Sequence, residues 1–212
     1  MRSFQTRRSV AMLAGVCLTV AVSASACSSD SDAAAKFNHE NAAQSAADFS
    51  KGGECTDNQN VSVQASDTTI TITGKCGEVH VADTNLNVSV AQATALAVRG
   101  ENNTISGDVW GPTSIEGVSI SAEATSVGEL VVSGKQTSMK TTKSSSLSIT
   151  GEENVVDTGA TESVMVNGVG DSVTATAVSK LVEVTGSQNT VTWTDGVEKP
   201  AKNEGVDNNF NR

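Results

Sequence analysis

The chain has 212 residues and a net charge of −10, with 24 acidic side chains against 14 basic ones. That balance gives no basic face for nucleic acid, which is excluded as a partner, and it disfavours anionic lipid surfaces except through an anchor. Aromatic residues make up only 3% of the chain, with no Tyr, so a large ring-filled core is excluded as well.

Arg2, Arg7 and Arg8 open the chain and an apolar stretch follows from Val10 to Val22. The stretch falls short of the ~20 residues that span a bilayer, so residues 1–26 read as an export signal. Its end, Ala24–Ser25–Ala26–Cys27, resembles a bacterial lipobox, which makes Cys27 the lipidated first residue of the mature chain. Ala24 stands where that motif usually has leucine, and an ordinary secretory signal cut near Ala26 is the alternative. Thr6 to Val10 loosely resembles a twin-arginine signal, so the export route stays open. A diacylglycerol with an amide-linked acyl chain such as palmitate holds a domain firmly on a membrane, where a single chain binds only marginally.

Residues 27–52 read as a tether. Ser28 to Ala35 is small, polar and acidic, and such a stretch buries too little surface to fold. Lys36 to Ser50 is Ala-rich, with Phe37 and Phe49 as its large apolar residues; it reads as a stalk or as a short helix capping the domain that follows. Cys55 and Cys76 remain as an even pair once Cys17 is removed with the signal and Cys27 is lipidated. In an oxidising compartment they are the expected disulfide, closing a loop of about 20 residues worth roughly 3 kcal/mol.

From residue 53 to residue 212 the chain repeats. Gly100, Gly117, Gly134, Gly151 and Gly168 recur every 17 residues, and Gly186 follows after 18. Each has an apolar residue two places before it (Val98, Ile115, Val132, Ile149, Val166, Val184) and five places after it (Ile105, Ala122, Met139, Val156, Val173, Val191). Less perfect copies centre on Ala65, Asp83 and Gly205, giving nine turns. Within a turn the apolar period is two, as in Leu147–x–Ile149 and Val173–x–Ala175, which specifies strand. No turn has room for a helix. The expected fold is therefore all-β: a single-stranded parallel β-helix, a β-solenoid of nine turns of 17–18 residues.

In this reading two short strands flank a corner at the glycine, and the glycine supplies positive φ. The second corner, as in Lys140 to Ser146, is a variable polar turn. Asn103, Asn154, Asn189 and Asn208 lie three residues after the glycine and are expected to stack for structural reasons, with Ile120, Thr137 and Asp171 interrupting their ladder.

Catalytic signals are weak. His39 falls in the tether, and His80 points away from the side taken by Val79 and Val81, as an exposed strand histidine. No Gly–x–Ser–x–Gly elbow occurs. Glu101 and Glu152 hold equivalent places three turns apart, roughly 14 Å, beyond the reach of paired glycosidase carboxylates. Glu116 and Lys135 show no obvious partner. No calcium loop is present, and neither a metal nor a cofactor is expected. Trp110, in Val109–Trp110–Gly111–Pro112, falls in a second corner and is the candidate ligand contact; Trp193 takes a strand place and is expected to plug the carboxyl end.

The stretch Val182 to Trp193, with Gly186–Ser187–Gln188–Asn189–Thr190–Val191 at its centre, resembles the signature of the DUF3060 proteins, as do Leu96 to Ile105 and Thr71 to Val79. The resemblance runs from about Cys55 to Phe210. It implies a β-solenoid-like fold and an exported protein or lipoprotein of the actinobacterial (mycobacterial-type) cell envelope, and it transfers no catalytic residue. The expected function is a lipid-anchored binding or structural module on the outer face of the cell membrane, with cell-wall glycan or an envelope protein as partner. A glycan-processing enzyme and an accessory subunit of an envelope complex are the alternatives.

Overall fold

The computed structural model describes residues 46–212. Fourteen strands run in chain order: β1 (Ala47–Asp48), β2 (Gly53–Cys55), β3 (Val61–Gln64), β4 (Thr69–Ala82), β5 (Asn87–Glu101), β6 (Thr104–Trp110), β7 (Thr113–Val118), β8 (Ser121–Val132), β9 (Ser138–Ile149), β10 (Val155–Val166), β11 (Ser172–Val184), β12 (Thr190–Gly196), β13 (Lys202–Asn203) and β14 (Asn209–Asn211). Every named pairing is parallel, and each strand pairs with its equivalent one coil away. This is the expected β-solenoid, with no helix among the described residues.

The coils number about ten rather than nine. The residue at the Val63 position of each coil runs Phe49, Val63, Val81, Val98, Ile115, Val132, Ile149, Val166, Val184 and Asn203. The extra coil is the first, in which Ala47 pairs with Val61 and Gly53 with Ile72. These spacings break the 17-residue rhythm and the coil lacks the apolar–x–Gly frame, so counting glycines misses it. Among the described residues strand pairing reaches back to Ala47, which lies before residue 53.

Each coil has three runs rather than two strands and a loop. In β8 the paired residues are 121–124, 126–127 and 129–132, with Thr125 and Gly128 left out of the pairing as bends. The middle run is the variable second corner, and its second residue points inward. Down the stack that place holds Cys76, Ala93, Trp110, Val127, Ser144, Thr161 and Val178, all buried. Lys140 to Ser146, expected as a turn, therefore lies inside the continuous strand β9. Parallel pairing carries the strand around the bend because backbone hydrogen bonds run to the next coil, along the rod axis, and a bend across that axis leaves them intact.

Inward columns, mostly of Val, Ile and Leu, build the core: Ile70, Val88, Ile105, Ala122, Met139, Val156, Val173 and Val191 on the first run, and Val79, Leu96, Thr113, Leu130, Leu147, Val164 and Val182 on the third. At about 4.8 Å per coil, ten coils make a rod of roughly 45 Å.

The two ends close differently. Cys55 and Cys76 are bridged at the amino end, with Cα atoms 5.1 Å apart. At the carboxyl end Trp193 is 2% exposed, donates its indole N–H to the Val197 carbonyl, and meets the Phe210 ring edge-on at 6.4 Å.

Candidate functional site

The glycine corner is the most regular part of the rod, and its glycines have a different reason from the expected one. Among the six glycines of the rhythm only Gly100, at +108°, lies in the left-handed region. What excludes a side chain is the stack itself. A Cβ on Gly151 would lie 1.8 Å from the Gly134 carbonyl oxygen, and one on Gly186 would lie 1.8 Å from that of Gly168. Positive φ sits two residues later, at Asn85, Asn102, Ser119, Gln136, Glu153, Gly170 and Gln188. Polar residues accept this conformation there.

Beneath the glycines lies the asparagine ladder. Asn154 Oδ1 accepts from the Thr137 backbone N–H, and Asn154 Nδ2 donates to the Gly134 carbonyl. Asn103 and Asn189 repeat both bonds, on Leu86 and Asp83 and on Asp171 and Gly168. The ladder thus runs from side chain to backbone, with Asn103, Asn154 and Asn189 buried, in keeping with a structural role. Asp171 does not interrupt it: its Oδ1 accepts from Asn154 N and Nδ2, at 2.8 and 3.0 Å.

Trp110, the candidate ligand contact, is buried. Its side chain is 1% exposed and its Nε1 donates to the Val90 carbonyl at 3.0 Å. The second corner turns this residue inward, and the ring fits because Gly107 leaves space beside it: a Cβ there would come within 2.6 Å of Nε1. A glycine in a column that otherwise holds Ile72, Val90, Ala124, Thr141, Thr158, Ala175 and Trp193 was the sequence signal for a ring underneath. Trp193 likewise offers no surface platform.

Charged side chains pair along the stack. Arg99 meets Glu116 at 3.1 Å and Lys135 meets Glu152 at 2.9 Å. Both pairs are 17 residues apart, one coil, so Glu116 and Lys135 have the partners their sequence surroundings did not show. The hydrogen bond that Lys135 donates to Glu152 raises the ammonium pKa above its ordinary value. Glu101 and Glu152 stand three coils apart in one column, separated by Val118 and Lys135. His80 does point away from Val79 and Val81, but its side chain is only 12% exposed and its Nε2 lies 3.1 Å from Glu78, so it is largely covered rather than free on the surface. Among the described residues no group of three His, Cys, Asp or Glu could hold a metal ion.

The surface that remains is extended rather than pocketed. Along the first run, outward residues form two parallel ranks. One reads Thr69, Asn87, Thr104, Ser121, Ser138, Val155, Ser172, Thr190 and Asn209. The other reads Thr71, Ser89, Ser106, Glu123, Lys140, Asp157, Thr174, Thr192 and Asn211, its three charges alternating in sign. On the far side, an open recess of about 430 Å³ follows the glycines, between Ser133 and Thr150 on one flank and Lys135 and Glu152 on the other. A second, of about 270 Å³, lies across Ser148, Met165 and Glu183. Cys27, the expected lipidation site, lies outside the described residues, as do the export signal and most of the tether. Cys55 and Cys76 meet as the expected disulfide.

No curated protein and no solved structure matches the chain. The family described as "Protein of unknown function (DUF3060)" matches residues 63–117 and 149–207. The span between the two matched blocks contains Ile120 and Thr137, where the asparagine column is broken. Both matched blocks fall on stacked coils of the rod, and the chain belongs to the DUF3060 family.

Proposed function

We propose that the protein is a lipid-anchored module on the outer face of the cell membrane, and that the first side of its rod receives an elongated polar partner from the cell envelope. The two outward ranks, mostly Ser, Thr and Asn, carry this reading: they continue in register over nine coils, a length suited to a chain lying along the axis. Hydroxyl or amide groups give such a partner donors and acceptors at every coil but the one that holds Val155 and Asp157. The disulfide agrees with an oxidising compartment. With Trp110 and Trp193 in the core, the sides of the rod have no tryptophan on which a sugar ring could stack, so an envelope protein is favoured over cell-wall glycan.

Photo-crosslinking in intact cells tests the docking surface. A crosslinker at position 106, in the outward ranks, is expected to capture an envelope partner, while one at position 148, on the third run, is not. Equal capture from both positions, or capture from 148 alone, contradicts it. Cell fractionation tests the anchor separately: Cys27→Ala should release the chain from membranes, and undiminished retention sinks that part of the reading.

A further inference from the structure

Asp171 occupies an asparagine's place without an asparagine's donor. In the intact rungs the amide nitrogen bridges to the carbonyl of the glycine corner one coil back, as Asn154 does to Gly134 and Asn189 to Gly168. The corresponding atom of Asp171 is Oδ2, and the corresponding carbonyl is that of Gly151. Both oxygens crowd one point: the place of a Cβ on Gly168 is 1.8 Å from Asp171 Oδ2 and 2.5 Å from the Gly151 oxygen. Around Gly151 and Gly186 the atom beside that point is the amide nitrogen of Asn154 or Asn189. Asp171 is 1% exposed, and its Oδ2 has no hydrogen-bond partner.

Two acceptors held together in a buried space repel unless one carries a proton. We propose that Asp171 keeps its carboxyl proton in the folded rod at a pH where the exposed Asp side chains have lost theirs, with its Oδ2–H donating to the Gly151 carbonyl, and that this proton works as a pH-sensitive latch on the glycine corner. The acid then reproduces the whole asparagine rung: Oδ1 accepts from Asn154, and Oδ2–H takes the role of the amide donor.

The surrounding charges agree. On the coil below, Glu152 and Glu153 are the titratable groups of the facing corner, and Glu152 is ion-paired with Lys135. On the coil above, residues 185–189 carry no titratable side chain, and neither do residues 167–170 of its own corner. Burial raises the Asp171 carboxyl above its ordinary value of 3.8; the hydrogen bonds from Asn154 oppose this in part, and the charge of Glu152 adds to it. A raised folded value means that the stabilisation by the proton is complete below 3.8 and is lost as pH rises through the folded value. Ionisation then sets Oδ2 against the carbonyl of Gly151, a residue that also lines the recess along the glycines. Acid closes the latch and alkali opens it.

Carboxyl-carbon NMR of the full chain, with labelled Asp, is the direct test. One Asp signal should keep its protonated shift to higher pH than all the others and vanish in Asp171→Asn; ionisation of every Asp over one common pH range overturns the proposal. Urea unfolding gives an independent reading. Relative to Asp171→Asn, the wild-type folding constant should fall about tenfold per pH unit between the unfolded and folded pKa values. A wild-type to variant ratio that is constant from pH 4 to pH 8 also overturns it.

Discussion

The glycine corner joins most strands to the next and the second corner bends a strand from within, yet one is nearly invariant and the other varies down the stack. At the glycine corner backbone presses on backbone, and Asn103, Asn154 and Asn189 each fasten their coil to the one below. At the second corner the inward side chain varies from Ala93 to Trp110 to Ser144, and neighbouring columns adjust around it. Repetition marks where the fold is held by main-chain contact, and variation marks where the core is filled coil by coil.

Removing the largest filler should give the largest effect. Trp110→Ala empties the second corner beside Gly107 and leaves the Val90 carbonyl without its indole donor. Burying a ring of that size is worth about 3–5 kcal/mol on truncation, which urea denaturation of the full chain reads directly. A loss under about 1 kcal/mol would mean that the second corner is a solvated loop after all.

Next comes the same column at its amino end, where Cys76 holds the place of Trp110 and is bridged to Cys55, 21 residues before it. Replacing both cysteines with alanine should cost about 3 kcal/mol, because the unfolded chain regains the freedom of the closed loop. Reducing agent should lower the wild-type melting temperature to that of the variant and leave the variant unchanged. The carboxyl end, held by Trp193 and Phe210, has no redox dependence of its own.

Much of this was legible from the sequence because a solenoid converts chain distance into spatial distance. A period of 17 put Val98, Ile115 and Val132 in one column, and the structure keeps them there. The same rule pairs Arg99 with Glu116 and Lys135 with Glu152, partners visible to anyone who steps one period along the chain rather than one turn of a motif. Positions set by contacts that carry no sequence period were hidden. The first coil joins Ala47 to Val61 and Gly53 to Ile72 at irregular spacings, so it announced nothing. Trp110 looked like a loop tryptophan because the surrounding Asp108, Gly111 and Pro112 are turn residues, while the inward direction of its side chain follows only from the pairing of β6 with β8. The reason for the glycines was also hidden, since positive φ and close approach both select glycine and only coordinates tell them apart.

That last distinction separates two glycines of one corner and gives the finest test of the comparison. Gly151 has ordinary dihedral freedom but no space, since a methyl group there would meet the Gly134 carbonyl oxygen at 1.8 Å. Gly170 has the reverse: its φ is +71°, yet the nearest atom to a Cβ is Glu153 Cγ at 3.8 Å. Equivalent places in other coils hold Asn85, Asn102 and Gln188 at φ of 56°, 56° and 59°. Gly151→Ala should therefore force two coils apart and cost about 1–3 kcal/mol, as overpacking does. Gly170→Asn should change stability by no more than about 0.5 kcal/mol, since asparagine tolerates that conformation and trims the entropy of the unfolded chain. If instead both glycines tolerate a side chain, close stacking does not explain the rhythm. If both reject one, φ matters at this corner more than the stacked asparagines and glutamines of its neighbours allow.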